Sequence, residues 1–330
     1  KNIKAQELQN QITQLGTQQS ELTLEEQITR YFMQILYMQE AKEVNVQLAE
    51  TAKKQWERGQ QMMQYGQMSK ADVAKLESQY RSAEYDIVNA ETQVLNYKRQ
   101  LKAILELPME QNFVTDGHIY EDLSADVLIP DPVAAYEQAL KTRPEIRAAE
   151  MSIEAADMNL DIARRGYYPT IGASANLTDS HYSGSQNSLG SQMKTNLNMS
   201  AGVNMSVPIF DNRRNKSNVE KAKLQKITSQ LDLEDQKKQL SSTIEELWLN
   251  ATSSQQRYKS AQTNVKSQEA SYELLNEQFA NGLKNIVELA QGHDALVSAK
   301  QEELQSKYTT LLNMELLKLY TGEAPTPSNN

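Results

Sequence analysis

The chain has no cysteine in its 330 residues. That excludes a disulfide framework, a thiolate metal site and a cysteine nucleophile, and it leaves this sequence without an N-terminal cysteine for a lipid anchor. No run of about 18 apolar residues occurs, so no transmembrane helix is expected. No long block of one charge sign occurs either. The 34 basic and 43 acidic residues are interspersed and sum to a formal net charge of -9, which disfavours nonspecific nucleic-acid binding. Reactive constellations are also missing. There is no serine–histidine–acid arrangement, phosphate loop or paired catalytic carboxylate, and His118, His181 and His293 lack ligand spacing. Neither an enzyme nor a cofactor is expected. Apolar residues are scarce for a compact globule, at 39% with a mean hydropathy of -0.67. Long helices wetted on two sides suit that composition better.

What the chain does have is a repeat. At an offset of 216 residues, Ile28 aligns with Ile244, Phe32 with Trp248 and Trp56 with Tyr272; Gly66 then aligns with Gly282, Asp72 with Glu288 and Leu101 with Leu317. The unit is too large for a solenoid and points to a duplicated half-protein. Each copy reads as a long polar helix, a glycine turn and a second helix.

The sequence predicts a helix over 1–64, a turn at Gly66, and a helix over 69–106 with Ser69 as its cap and Pro108 as its stop. Segment 107–132 is irregular, punctuated by Gly117, Pro130 and Pro132, with a short strand expected near 113–120. Helix resumes over 133–166, with Pro144 after a short first turn starting the main run. Further helices are expected over about 213–279 and 284–320, then a polar tail holding Pro325 and Pro327. The longest carries a seam in steps of four and three: Leu240, Ile244, Leu247, Ala251, Ser254, Tyr258, Ala261, Val265, Gln268, Tyr272, Leu275 and Phe279. That period implies a left-handed supercoil. In the first copy Leu24, Ile28, Tyr31, Ile35 and Met38 fit the seam before Lys42 breaks it. A helix of about 67 residues spans roughly 100 Å, close to the summed lengths of 69–106 and 133–166, so two short helices could stack beside one long one. Lys1 falls inside a helical pattern with no signal peptide, which suggests a segment of a larger protein.

Between the copies lies a different signal. Ile171, Ala173, Ala175 and Leu177 alternate with small polar residues, and so do Leu197, Met199, Ala201, Val203, Met205, Val207 and Ile209. Period-two alternation predicts strands over 169–177 and 196–209, joined by a polar loop over 178–195. The polar row is small and uncharged, which suits a membrane barrel with lipid outside and water inside better than a soluble hairpin packed on helices. Tyr167, Tyr168 and Phe210 fall at one end of this hairpin, where interfacial aromatics belong.

In this setting four short motifs gain weight: Arg143-Pro144-Glu145-Ile146, Tyr168-Pro169-Thr170-Ile171, Val207-Pro208-Ile209-Phe210-Asp211, and the turn pairs Tyr65-Gly66 and Asn281-Gly282. In this order on a duplicated helical hairpin, the chain resembles the TolC-type outer-membrane efflux proteins, the outer membrane factor family, over essentially its whole length. The resemblance implies a mainly α fold with a β-hairpin. Duplicated coiled-coil hairpins would form part of an α-helical tunnel, and two strands would join a trimeric outer-membrane barrel. The expected segments are 1–106, a first helical hairpin; 107–132, an equatorial segment; 133–166, a helix; 167–210, the barrel hairpin; 211–320, a second helical hairpin; and 321–330, a tail. The family carries a strand hairpin in each repeat. The first is expected upstream of Lys1, because three copies of two strands make six, short of the smallest barrels of about eight.

The implied function is a passive exit duct of a tripartite efflux or type I secretion system, in the outer membrane of a Gram-negative cell with its helices in the periplasm. The partners implied are two further copies of the chain, a periplasmic adaptor, an inner-membrane transporter and outer-membrane lipid. By position, Asp72, Phe279, Lys284 and Glu288 fall at the periplasmic gate, and Tyr65, Gly66, Asn281 and Gly282 at the adaptor-docking tip. Gln291 stands where the best-known member has an acid. Leu197, Met199, Ala201, Val203, Met205 and Val207 would face lipid. Two alternatives come from the residues: a soluble coiled-coil scaffold, and a metal-efflux duct using the thioethers of Met62, Met63 and Met68.

Overall fold

The computed structural model describes residues 2–111, 113–115, 128–180, 182 and 189–323. It divides into two compact units, Lys1–Gln14 with Ala148–Glu234, and Leu15–Arg147 with Asp235–Asn330. Of the strand expected near 113–120, residues 113–115 are described and are not strand; its remainder, with His118, His181, Gly117 and the prolines of the tail, lies outside the described residues.

Helix α1 (Asn2–Gln64) and helix α2 (Lys70–Ile104) form the first hairpin. Ser69 caps α2, and the helix stops two residues earlier than its apolar pattern suggested. The cause is local: Glu106 adopts a left-handed φ of 52°, and the Leu107 amide closes on the Lys102 carbonyl at 3.0 Å.

The helix expected over 133–166 is two helices. α3 (Pro132–Thr142) starts at Asp131, whose Oδ2 accepts from the Val133 and Ala134 amides, with Pro132 in the first turn. It runs 11 residues rather than one short turn and breaks at Arg143. Pro144 forces that break, because its ring drives the preceding residue out of the helical region, and Arg143 sits extended at ψ 122°. α4 (Pro144–Arg164) follows and tightens into a 3-10 turn, Arg165–Tyr167. Arg143 is buried. Its Nε donates to Glu145 Oε1 at 2.7 Å, and its guanidinium lies 4.4 Å from the centre of the Tyr320 ring. The first motif of the resemblance therefore ties the α3–α4 junction to the last helix.

Strand β1 (Thr170–Thr178) pairs antiparallel with β2 (Asn198–Ser206) from Thr170↔Ser206 to Thr178↔Asn198. The expected polar loop contains a short helix, α5 (Leu189–Asn196), in which Leu189 and Met193 are the only apolar residues among Gly, Ser, Gln, Lys, Thr and Asn. The second hairpin is α6 (Arg214–Ala280) and α7 (Ile286–Thr321).

None of the twelve seam residues of α6 is exposed. Ser254, the polar member at its middle, is satisfied by donating to the carbonyls of Asn250 and Ala251, so it packs without an orphaned hydroxyl. On α1 the seam wanders. Ile35 is fully buried, Leu24 is exposed, and Met33 and Leu36 are buried off the expected line.

Candidate functional site

The two helix turns are built alike. Gly66 and Gly282 adopt φ of 73° and 71°, the left-handed conformation that only glycine takes without strain. In the first turn Gly66 N donates to Met63 O at 3.0 Å and Gln67 N to Met62 O at 2.9 Å. In the second, Gly282 N donates to Phe279 O at 3.0 Å and Leu283 N to Gln278 O at 2.9 Å. These paired bonds end each helix by satisfying its last carbonyls. Tyr65, Asn281 and Leu283 project into solvent around them.

The helix that follows each turn starts on a repeat-equivalent pair. Ser69 Oγ accepts from the Asp72 amide at 3.1 Å and donates to Asp72 Oδ2 at 2.7 Å. Asn285 Oδ1 accepts from the amides of Val287 and Glu288, while Glu288 Oε2 accepts from the Asn285 amide at 3.2 Å. The longer glutamate reaches the backbone donor, completing a capping box, whereas the shorter aspartate holds the serine hydroxyl.

Four residues expected at the gate therefore sit in three settings. Glu288 also accepts from Lys284 Nζ at 2.5 Å, and this lysine, followed by the Asn285 amide, holds its carboxyl below the ordinary value of 4.5. Asp72 makes no ion pair among the described residues, and its partner is Ser69. Phe279 packs inward on a core of Leu76, Tyr272, Ile286, Leu289 and Leu296, together with Trp56 and Met68. That core joins the two tips.

A contact invisible in either copy alone adds to it. Gln55 Nε2 donates to the Tyr272 hydroxyl at 2.5 Å and to Asn276 Oδ1 at 3.3 Å, linking α1 to α6 across more than 200 residues. Burial raises the Tyr272 phenol above its ordinary value. Nearby, Trp56 stacks on Tyr80 with ring centres 5.6 Å apart. Met68 belongs to this core, while Met62 is half-buried and Met63 borders on exposed.

At the strand hairpin the register puts Ile171, Ala173, Ala175 and Leu177 directly opposite Met205, Val203, Ala201 and Met199. Opposed residues point to the same side of a sheet, so the apolar rows of both strands make one face. Thr170, Gly172, Ser174, Asn176 and Thr178 face Ser206, Asn204, Gly202, Ser200 and Asn198 on the other. The apolar face is bare: Val203 is 79% exposed and Met199 77%. Leu197 and Val207 flank β2 and are exposed too, as are Tyr167, Tyr168 and Phe210 at the base.

The family described as outer membrane efflux protein matches residues 135–323. That span exceeds half of the chain and takes in the strand hairpin and the second helical hairpin. The chain belongs to the outer membrane efflux protein family. Alkaline protease secretion protein AprF of Pseudomonas aeruginosa is 22% identical over 272 residues, covering 82% of this chain and 55% of that protein. Outer membrane protein TolC of Escherichia coli is 25% identical over 276 residues, covering 79% and 54%. The chain thus spans about half the length of the curated relatives it matches. Among solved structures, the outer-membrane channel OprN aligns with a TM-score of 0.82 at 17% identity, covering 98% of this chain and 71% of that one. CusC aligns at 0.80 and 16% identity, covering 97% and 73%. These neighbours share the fold of long helices and a strand hairpin. The relatives are an outer-membrane protein and a protease secretion protein, and the family's description is one of efflux. That family membership locates the chain in the outer membrane.

Proposed function

We propose that the full-length protein is a passive outer-membrane exit duct, a homotrimer that an inner-membrane transporter and a periplasmic adaptor open at its helix tips. One observation carries this: a nine-rung hairpin whose two apolar rows share a single exposed face while its other face is small, polar and uncharged. Lipid on one side and water on the other is the environment such a surface needs. A soluble scaffold leaves that bare apolar face unexplained.

Residues 167–210 then supply barrel wall, and 1–106 and 211–320 supply tunnel wall. The lipid contacts fall to Leu197, Met199, Ala201, Val203, Met205 and Val207. Gly66 and Gly282, with Tyr65 and Asn281 beside them, form the tip that meets the adaptor. Asp72, Phe279, Lys284 and Glu288 form the gate. Repeat equivalence puts Asp72 and Glu288 at matching positions past their glycines, and threefold symmetry would make each a ring of carboxylates that favours cations. The Lys284–Glu288 pair stiffens the start of α7, and three copies of it would bias the closed state.

Replacing both Lys284 and Glu288 by alanine in the full-length trimer raises single-channel conductance in planar bilayers. Unchanged conductance would put the gate elsewhere.

A further inference from the structure

Five cations meet where the strand hairpin joins its helices. Arg164 and Arg165 precede Gly166, while Arg213, Arg214 and Lys216 surround Asn215. The two runs are held side by side. Buried Asn215 donates through Nδ2 to Gly166 O at 2.8 Å, and a Cβ on Gly166 would stand 2.7 Å from Asn215 Oδ1, so the chain crossings touch directly. Left-handed backbone at Asn212 and Arg213, φ 50° and 62°, turns the chain sharply between β2 and α6 and keeps the second run at this base.

The nearby acids have partners of their own, including Glu220, which pairs with Lys223 at 2.7 Å and also feels the charge of Lys216. Asp211 Oδ2 accepts from the Asn215 amide at 2.9 Å, and Asp161 Oδ1 lies 3.7 Å from Arg164 Nη1. Arg165, Arg213, Arg214 and Lys216 are exposed and have no ion pair among the described residues. Arg164, Arg165, Tyr168, Pro169 and Thr170 line, with Asp161, a groove of about 670 Å3. The distribution along the hairpin is one-sided. Segment 178–198, at its far end, holds a single lysine, Lys194, against Asp179.

We infer that this base is a binding site for the phosphodiester headgroup of an anionic glycerophospholipid in the leaflet nearest the helices. The inference rests on the hairpin being barrel wall. The exposed ring of Tyr167, Tyr168 and Phe210 fixes the depth, because such aromatics settle at the headgroup level, and the cations beside them then lie level with phosphate. Arginine suits that ligand, since its planar fork matches two phosphate oxygens at once. Arg164 and Arg165 line the groove that would take the headgroup, and the second crossing's cations, brought near by the Gly166–Asn215 contact, add positive charge to the same base.

The test uses the full-length trimer, reconstituted in phosphatidylcholine vesicles with and without phosphatidylglycerol, and in detergent for lipid retention by native mass spectrometry. Wild type retains phosphatidylglycerol over phosphatidylcholine by roughly tenfold or more, and the preference weakens as salt rises. Arg165→Gln, Arg213→Asn, Arg214→Gln and Lys216→Gln together remove the preference. The charge-keeping pair Arg165→Lys and Arg214→Lys retains most of it. Glycerophosphoglycerol or inorganic phosphate at matched concentration does not displace the lipid. A trimer that inserts and conducts but holds both lipids equally overturns the headgroup site and leaves the duct standing, as does a preference that survives the fourfold change or is abolished by free phosphate. A trimer that inserts into neither vesicle overturns the duct, and this site with it.

Discussion

Glu288 does two jobs with two oxygens. One completes the α7 capping box and the other receives Lys284. Because these contacts favour its charged form, its folded pKa lies below the ordinary value of 4.5. The stabilisation is therefore present above that value and is lost as pH falls through the folded one. Below pH 4.5, exchange of the Asn285 amide, corrected for its intrinsic rate, should rise, and Glu288→Gln should remove most of this pH dependence. A protection factor that stays flat down to the acid limit would mean the carboxylate does not hold the tip. Asp72 offers a contrast at the equivalent position. Its shorter side chain reaches only the Ser69 side chain, so the first tip lacks the reciprocal backbone bond of the second.

At the level of paired helices, the two hairpins share their turns but not their packing. A Cβ on Gly59 would meet Leu76 Cδ1 at 2.6 Å, and a Cβ on Gly292 would meet Leu275 Cδ1 at the same distance. By the 216-residue offset, Gly59 corresponds to Leu275 and Leu76 to Gly292, so the small and the large partner have exchanged helices. Gly292→Leu alone overpacks the second tip and should cost about 1–3 kcal/mol. Adding Leu275→Gly recreates the arrangement of the first tip and should recover most of that loss, read as a coupling energy in denaturant unfolding. Additive effects would show that the two side chains do not share one space. The element boundaries tell a similar story about local signals. Pro144 marked a helix start in the sequence, and the structure shows that Arg143 before it is extended. The length of α3 was missed because its alanines continue into α4 without a change of period. Helix α5 was missed because a single apolar pair, Leu189 and Met193, is too little to set a period in eight residues.

For the whole chain, the strand faces make the sharpest demand on its surroundings. Val203→Arg in the full-length protein should impair membrane assembly by about 2–4 kcal/mol near the bilayer midplane, whereas Asn204→Arg on the water side should be tolerated. Heat-modifiability of the assembled trimer on gels reads both, and equal behaviour would reverse the inside and outside of the hairpin. The strand alternation, the duplicated helices and the seam of α6 were all legible, because each is a period written along one stretch of chain. The joint core beneath the tips was not. Phe279 completes the seam of α6 yet also packs on the core that holds Leu76 and Ile286, and Gln55 finds Tyr272 across most of the chain; neither partnership leaves a local period. The basic cluster at the hairpin base was split for the same reason, into two short runs that the strand pairing and the Gly166–Asn215 contact bring together.

The exchanged glycine and leucine also bear on how the copies can mix. A crossover between the two halves of the gene that falls between the codons for 59 and 76, or for 275 and 292, would join unlike helices. One product would set Gly59 against Gly292 and leave a void; the other would set Leu275 against Leu76 and force a clash. Exchange of an entire tip creates neither fault. Selection against such hybrids would keep the two halves from being homogenised within the tip, so each is free to diverge there as an intact hairpin.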